Sequence, residues 1–258
     1  VEVQVEDTLF SGFSKTPLSV VSYRCVKQGT VVKIFNSHFM GCSSYKGGAA
    51  LIDAENVSIG WSVFSNNFAS IGGSVLVLCP ILFSAFFLGF RNGTAKVTCG
   101  GLMVDSSTIH FNPHKFEDLN TTSMNAPSAS SIDAWEGVPN FKRCILTNSH
   151  CSRRHGTIRT SIQPEYKTTL QDSIFVNNSG TLDGAAFSPY HFMCVTAVSS
   201  SYFINNHSKD NKGVGICLVN TRASLSIADC VFSGRNTTEI FTHPSSYLDI
   251  SKNCSFGS

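Results

Sequence analysis

A short pattern recurs along this chain at intervals of roughly 25 residues, and such a repeat severely restricts the possible folds. Three copies read VFSNNFASIGGSVLV at 63–77, IFVNNSGTLDGAAF at 174–187 and FINNHSKDNKGVGICLV at 203–219. The apolar anchors of the repeat are Phe39, Phe64, Phe87, Leu146, Phe175, Phe203, Phe232 and Phe256. A unit this short cannot bury its own apolar face, so neighbouring units must stack.

The local pattern within each unit predicts strands and sharp corners. Segments such as SIGWSVF at 58–64 and LSIADCVF at 225–232 alternate with a period of two and are rich in β-branched residues. Asn and Gly follow them, and both tolerate the left-handed backbone of tight corners. A propeller blade needs about 40 to 50 residues. We therefore predict an all-β parallel β-helix with coils of about 23 to 29 residues, and one domain over residues 1–258.

The repeat also resembles a known family. Phe-x-x-Asn occurs at Phe64 with Asn67, Phe175 with Asn178 and Phe203 with Asn206, and Gly-Gly turns occur at 47–48, 72–73 and 100–101. This pairing resembles the Phe-x-x-Asn and Gly-Gly-Ala-aliphatic repeats of chlamydial polymorphic outer membrane proteins, and similar β-helix surface proteins of trichomonads and other protists. The resemblance implies a right-handed parallel β-helix at a cell surface, acting as an adhesin or scaffold.

Composition independently favours an extracellular or cell-surface location. The chain has ten Cys residues, an even number that suggests disulfides in a secretory setting, with metal binding or buried thiols as alternatives. It also has more N-x-Ser/Thr sequons than chance predicts, at Asn56, Asn92, Asn120, Asn177, Asn206, Asn236 and Asn253. Val1 starts no recognisable signal peptide, so we expect the chain to begin after processing or inside a longer protein.

Three of the Asn residues are predicted to be structural. Asn67, Asn178 and Asn206 should form an inward corner ladder whose amides bond backbone groups of adjacent coils. Asn206 could then not carry a glycan, although it lies in a sequon. The predicted glycosylation sites are Asn92, Asn120 and Asn236.

Two disulfides are predicted from the positions of Cys residues. Cys230 and Cys254 each lie two residues before an anchor aromatic, so both should point inward at equivalent positions of consecutive coils. Their expected separation of about 4.8 Å lies within disulfide range. Cys144 has Cys151 as its natural partner. The alternative is a column of buried free thiols.

Residues 112–140 break the repeat and are predicted to form a loop excursion from the solenoid. The segment contains three Pro residues, many Ser residues and few β-branched residues. Long loops on rigid scaffolds are often functional. Trp135 is therefore a candidate binding residue, and the alternative is that it only pins the loop to the coil beneath.

The most apolar stretch, SVLVLCPILFSAFFLGF at 74–90, is slightly shorter than a membrane span needs and contains Pro80 in its middle. We expect two inward-facing strands that meet at Pro80. Membrane association is then expected only through a parent chain.

Two groups of residues could form an enzymatic site or a metal site. RRHGTIRT at 153–160 is faintly similar to the His-Gly and Arg elements of polygalacturonases, but the Asp residues of the chain are not paired as such hydrolases require. Zinc could be held by Cys144, His150, Cys151 and His155, yet their spacing matches no common zinc pattern. We predict no catalytic residues, no metal site and no cofactor.

The predicted function is that of an extracellular or cell-surface β-helix scaffold or adhesin that presents loops for binding or assembly. Its partners would be a protein or glycan surface ligand, or neighbouring copies in an assembly. Nucleic acid is not an expected partner, because the net charge is only +2 and charged residues make up 14% of the chain. The alternatives are a polysaccharide-processing lyase or glycoside hydrolase, and a structural repeat of a surface coat or filament.

Overall fold

The structure is a computed structural model, and it describes most of the chain in segments. The described residues are 1–13, 21–24, 29–78, 81–105, 113–126, 129–135, 138–152, 155–161, 166–181, 184–190, 193–210, 213–219, 222–234, 238–251 and 253–257. They are all strand, turn or irregular chain, without a helix. The described residues contain no helix long and apolar enough to cross a bilayer.

The strands form a parallel β-solenoid in which each coil adds one strand to each of several sheets. A coil passes through the first, second, short and third sheets, which have ten, ten, six and nine strands among the described residues. Every named strand pair is parallel, and the pairing partners come from consecutive coils. The all-β parallel solenoid predicted from the repeat is therefore confirmed.

The first and second sheets meet at a corner that carries the candidate functional site. The first sheet comprises Glu2–Glu6, Val31–Phe35, Asn56–Gly60, Leu82–Phe86, Pro113–Glu117, Val138–Lys142, Lys167–Gln171, Val195–Ser199, Ser224–Ala228 and Tyr247–Ile250. The second sheet comprises Leu9–Ser11, His38–Met40, Val63–Ser65, Gly89–Arg91, Asn120–Thr122, Ile145–Thr147, Ile174–Val176, Tyr202–Ile204, Val231–Ser233 and Ser255–Gly257.

The remaining two sheets complete the coil. The short sheet comprises Phe68–Ala69, Thr94–Ala95, Asn125–Ala126, His150–Cys151, Ser179–Gly180 and His207–Ser208. The third sheet comprises Val21–Arg24, Ala50–Asp53, Val75–Leu78, Leu102–Asp105, Ile132–Trp135, Ile158–Ser161, Phe187–Pro189, Ile216–Leu218 and Ile240–Thr242.

The main core is a continuous cluster along the interior of the solenoid, and Leu51, Leu76, Cys99 and Met103 form a second, smaller cluster. The central residue of most second-sheet strands is a buried Phe, because alternate residues of a strand point to opposite faces. The rings of consecutive coils stack, with 4.9 Å between the centroids of Phe39 and Phe64 and 5.1 Å between those of Phe64 and Phe90. The stack resumes between Phe175 and Phe203, whose centroids are 5.0 Å apart.

The register corrects one anchor of the predicted repeat. Phe90, and not Phe87, pairs with Phe64 and is fully buried. Phe87 lies three residues earlier, at the corner between the first and second sheets, and is 51% exposed. Both residues are Phe, so residue type alone could not distinguish the core position from the corner position.

The prediction that residues 112–140 form a loop excursion is wrong for the part of this segment that the structure describes. Pro113–Glu117 and Asn120–Thr122 continue the first and second sheets, and Ile132–Trp135 continues the third. The segment forms an ordinary coil in which the buried ring comes from the first sheet instead of the second. Thr121 stands where the preceding coil has Phe90 and the following coil has Leu146, while Phe116 supplies a buried ring from the first sheet.

The apolar stretch at 74–90 divides between two strands. Val75–Leu78 belongs to the third sheet and Leu82–Phe86 to the first, while Pro80 lies outside the described residues. Only alternate residues of Leu82–Phe86 are buried, since the outer face of this sheet is open to solvent.

Candidate functional site

The corner between the first and second sheets uses left-handed backbone in consecutive coils. The residues with this conformation are Asp7, Asn36, Trp61, Phe87, Asp118, Arg143, Asp172, Ser200 and Asp229, with φ between 45° and 53°. Asn and Asp accept left-handed backbone more easily than other residues, whereas a bulky aromatic residue there is rare. Trp61 and Phe87 therefore hold backbone strain in adjacent coils, a feature that concentrates at functional sites.

Four aromatic side chains surround this strained corner, and we call them the aromatic patch: Phe35, Trp61, Phe86 and Phe87. Trp61 is 57% exposed and Phe87 is 51% exposed. Their rings stack, with 5.6 Å between centroids and 12° between planes. Exposed apolar clusters of this kind mark interaction sites more often than isolated surface aromatics do.

The other rings meet Trp61 at steep angles. The Phe86 ring is perpendicular to the indole, with 4.8 Å between centroids and 90° between planes. Phe35 lies 6.2 Å from Trp61 and 5.9 Å from Phe86, with planes tilted by 49° and 45°. The three rings therefore form a concave corner and not a flat platform.

Gly60 makes this arrangement possible. It pairs with Phe35 on one side and Phe86 on the other in the first sheet. A Cβ atom at Gly60 would lie 2.5 Å from the Phe86 ring and 3.0 Å from the Phe35 ring. The missing side chain thus lets the two flanking rings converge over the strand between them.

A hollow of about 440 Å³ opens beside the rings. It is lined by Glu6, Phe35, Asn36, Trp61 and Phe86. The Asn36 side chain donates a hydrogen bond to the carboxylate of Asp7, one coil earlier. The hollow therefore combines three aromatic walls with a polar rim that carries a carboxylate.

A second hollow of about 430 Å³ lies on the outer face of the first sheet. It is lined by Val31, Asn56, Val57, Ser58, Leu82, Phe83, Ser84 and Lys115. Val31–Phe35, Asn56–Gly60 and Leu82–Phe86 each contribute residues to one or both hollows. Both hollows therefore lie along this part of the first sheet.

Trp135, the binding residue predicted from sequence, lies at the end of a third-sheet strand and is 37% exposed. Its indole Nε1 donates to Asp133 Oδ1 over 2.8 Å, and the Arg159 guanidinium lies 4.6 Å from the ring centroid. Asp133 and Arg159 form a bidentate ion pair, in which Arg159 Nε donates to Asp133 Oδ1 over 2.8 Å. Trp135 is therefore anchored by its own coil and its neighbour.

The surroundings of Asp133 are closed to solvent. Burial raises the pKa of Asp133, although the adjacent Arg159 guanidinium acts in the opposite direction. Burial also raises the pKa of the Cys99 thiol, and the negative charge of Asp133 adds to this effect. Arg159 of the segment RRHGTIRT is thus held in a buried ion pair with Asp133. His155 of the same segment packs edge-on against Tyr190, with 4.6 Å between ring centroids.

The predicted corner Asn residues are buried and bridge adjacent coils. Asn178 Oδ1 accepts from Ser149 N over 3.1 Å, and its Nδ2 donates to Leu146 O over 2.9 Å. Asn206 Nδ2 donates to Phe175 O over 3.0 Å in the same way. Asn67 repeats the arrangement, accepting from Cys42 N and donating to Phe39 O.

The predicted glycosylation sites differ from this ladder in exposure. Asn92 and Asn120 are exposed, although the Asn92 amide also donates to Asn66 Oδ1 over 3.1 Å. Asn236 lies outside the described residues. Asn206 is 3% exposed, so a glycan on its side chain would require the corner to open. The absence of glycan at Asn206 therefore stays a prediction.

The two predicted disulfides are absent from the structure. Cys144, Cys230 and Cys254 are free thiols, so neither the Cys144–Cys151 nor the Cys230–Cys254 bond is formed. Cys230 and Cys254 do occupy equivalent positions of consecutive coils, because Val231 pairs with Ser255. The Cys230 thiol instead points back along its own coil and donates to Ala228 O over 3.1 Å.

A serine ladder missed by the sequence analysis explains this orientation. At the same position in other coils, the hydroxyls of Ser37, Ser62, Ser173 and Ser201 each donate to the carbonyl two residues earlier, over 2.7 to 2.8 Å. The Ser173 hydroxyl also accepts from Cys144 N over 3.1 Å. Cys144 and Cys230 therefore take the place of Ser in a column that satisfies backbone groups.

The cysteine and histidine residues considered for zinc are also separated. His150 is exposed and Cys151 is buried in the same two-residue strand, since adjacent residues point to opposite faces. Among the described residues, no group of three or more His, Cys, Asp or Glu side chains is placed to hold a metal ion.

Trp61 is the functional candidate that sequence analysis passed over. The alternating pattern at 58–64 predicts a strand through Trp61, whereas the structure ends the strand at Gly60 and places Trp61 at the corner. The signal is nevertheless present, because Trp61 and Phe87 occupy a corner position at which the preceding and following coils have Asn36 and Asp118.

Comparisons with protein-family models, with curated proteins and with solved structures found no match for this chain.

Proposed function

We propose that this protein is an extracellular or cell-surface β-solenoid scaffold of the adhesin type, and that the aromatic patch is its binding surface. The observation that carries the proposal is the exposure of Trp61 and Phe87 at strained corner positions in adjacent coils. Large aromatic side chains contribute strongly to binding, because they bury much apolar area with few rotatable bonds.

The surrounding structure supports a preorganised surface. Phe35 and Phe86 are the last residues of two strands in the ten-stranded first sheet. Both pair with Gly60 of the strand between them. The ladder of buried Asn and Ser side chains ties the nearby corners together. A ligand that binds such a rigid surface loses less affinity to ordering of the protein.

An adhesion assay tests this proposal. Beads coated with the 258-residue chain are scored for attachment to cells, alongside antibody labelling of the chain on intact and permeabilised source cells. We expect labelling of intact cells, and attachment that falls at least about fivefold with Trp61→Ala and Phe87→Ala combined. Tyr202→Ala is the control, since Tyr202 is an exposed aromatic residue outside the patch, and it should leave attachment unchanged.

The outcomes separate the parts of the proposal. Labelling only after permeabilisation would overturn the surface location. Attachment that is insensitive to the patch variants would overturn the patch as the binding surface. Self-association that depends on Trp61, measured by light scattering, would favour assembly of neighbouring copies instead of adhesion.

A polysaccharide-processing enzyme remains the competing function. Such an enzyme needs two carboxylates that converge on a groove accessible to substrate. Asp105 and Asp133 lie on neighbouring strands of the third sheet, but the Asp133 carboxylate is fully buried and paired with Arg159. Release of reducing ends from polygalacturonate or another polysaccharide by the purified chain would support the enzyme and contradict the scaffold.

A further inference from the structure

The hollow beside Trp61 has walls that suit a rounded group. Three rings line it, and the Trp61 and Phe86 planes are perpendicular. Phe87 stacks on Trp61 without lining the hollow, so it supports the indole while the hollow adjoins the remaining indole surface. A flat ligand can stack on only one wall of such a corner, whereas a compact, roughly spherical group can contact several walls together.

The rim of the hollow has the charge that a cation requires. Glu6 is a lining residue whose carboxylate accepts a hydrogen bond from Gln4 Nε2 over 2.7 Å, and Asp7 follows it in the chain. None of the described lining residues is Lys or Arg. Lys33, the cation on the strand that contains Phe35, is paired with Glu2 over 2.6 Å. The hollow is therefore electronegative through both the carboxylate and the faces of the aromatic rings.

These features match the physical requirements for binding an alkylated ammonium ion. Aromatic faces attract cations through the ring quadrupole, with Trp the strongest, and clusters of aromatic residues recognise quaternary ammonium groups. A quaternary ammonium has no N–H donors, so it needs apolar contact and diffuse negative potential instead of directed hydrogen bonds. The three rings provide the contact, and Glu6 provides the compensating charge.

We propose that this hollow is a binding site for a quaternary ammonium group of the choline type. The site comprises Phe35, Trp61 and Phe86 as aromatic walls and Glu6 as the counter-charge, with Gly60 leaving room for the rings to converge. The proposal rests on the proposed function in one respect, because it names the ligand chemistry of the same patch.

Fluorescence of Trp61 gives a direct test. The chain has only two Trp residues, so the Trp135→Phe background leaves Trp61 as the single indole. Choline chloride is titrated at constant ionic strength, and the uncharged isostere 3,3-dimethyl-1-butanol is titrated in parallel. We expect a saturable change with choline and affinity at least about tenfold weaker for the alcohol, because only choline gains the cation–π and carboxylate terms.

Site variants with matched controls locate the binding. Glu6→Gln should weaken choline binding about threefold to tenfold while leaving binding of the alcohol unchanged. Glu117→Gln is the matched control, since Glu117 lies at the equivalent sheet position beyond Phe86 and does not line the hollow. Trp61→Leu should abolish binding measured by calorimetry, and unchanged thermal unfolding of each variant would show that the fold is intact.

Vesicles distinguish the source of the group. Binding to phosphatidylcholine vesicles but not to phosphatidylglycerol vesicles would place the ligand on a lipid surface, and binding to choline alone would indicate a free ligand. Equal affinity for choline and the alcohol, or no saturable signal up to about 50 mM choline, would overturn the proposal. If adhesion depends on the patch but choline does not inhibit it, the proposed function stands and this ligand is wrong. If choline binds but the protein does not mediate adhesion, the site stands and the proposed function is wrong.

Discussion

The coils at the two ends of the solenoid and the coils in its middle fill the same interior in different ways. At both ends, the second sheet supplies a stack of buried Phe rings, including Phe64 with Phe90 and Phe203 with Phe232. In the middle, that position is occupied by Thr121 and Leu146. There the first sheet supplies Phe116 and Phe141, whose rings stack with 4.6 Å between centroids.

The difference teaches that the first sheet can supply the large core residue of a coil where the second sheet has a smaller one. Protein interiors are packed to nearly constant density, so a smaller residue on one sheet needs a larger one on another. The middle coils also differ from the end coils in their buried hydroxyl groups. Thr121, Ser131 and Ser149 form a buried chain of hydroxyl contacts of 3.0 and 3.3 Å in the middle coils.

The largest expected effect tests whether the middle coils are as important as the end coils. Phe116→Ala should lower the free energy of unfolding by about 3 to 5 kcal/mol, the range for truncating a buried Phe, and Phe203→Ala should cost a similar amount. Urea unfolding measures both. Lys115→Ala, which changes an exposed neighbour, should stay within about 0.5 kcal/mol. A loss below about 1 kcal/mol for Phe116→Ala would restore the loop excursion.

Removing a corner side chain should lower the free energy of unfolding less than removing a core ring does. The loss should also be larger for the Asn corner than for the middle-coil Ser corner. Asn178→Ala leaves Ser149 N, Leu146 O and Asn206 Oδ1 without this partner, so we expect a loss of about 3 kcal/mol. Ser149→Ala in the middle coil removes only hydroxyl contacts and should cost about 1 kcal/mol. Equal losses in chemical denaturation would show that the Asn ladder carries no special weight.

Moving the large core residue from the first sheet to the second should have the next largest effect on the free energy of unfolding. Thr121→Phe extends the end-coil stack into a middle coil whose interior already contains Phe116, so overpacking should cost about 1 to 3 kcal/mol. Combining it with Phe116→Val should recover part of that loss, because the two positions then resemble an end coil. Strict additivity in the double-mutant cycle would argue that the two side chains do not share one space.

The smallest effect concerns alkaline pH. Burial raises the pKa of the Cys144 thiol to about 12, whereas a thiol in the unfolded chain ionises near its ordinary value of about 8.5. The stability from the neutral buried thiol is therefore complete below the unfolded pKa and is lost as pH rises toward the folded pKa, by up to about 1.4 kcal/mol per pH unit.

Cys144→Ser isolates this contribution, since Ser173 occupies the same corner position in the following coil. We expect the variant to be within about 1 kcal/mol of the parent at pH 7 and to lose less stability between pH 9 and pH 10.5. Urea midpoints across that range provide the measurement. Parallel pH profiles would mean that Cys144 is not protected in the folded state.

The spacing of the repeat predicts the solenoid, and the combination of Asn with Phe predicts the inward Asn corners. Both are local rules, because a strand alternates its faces and a corner needs residues that tolerate left-handed backbone. The same rules failed at 112–140, since Thr121 and Met124 replace the Phe and Asn of the pattern. They also chose Phe87 over Phe90, which are separated by three residues and have the same side chain.

The sequence by itself determined the repeat, the strand content and the corner chemistry, because these depend on residues that are close together in the chain. Only the tertiary structure decided which sheet supplies the large core residue of each coil and which aromatic residues face outward. Those outcomes depend on the register between residues about 25 positions apart, as with Gly60 between Phe35 and Phe86. The concave corner at Trp61 exists only once three successive coils are stacked.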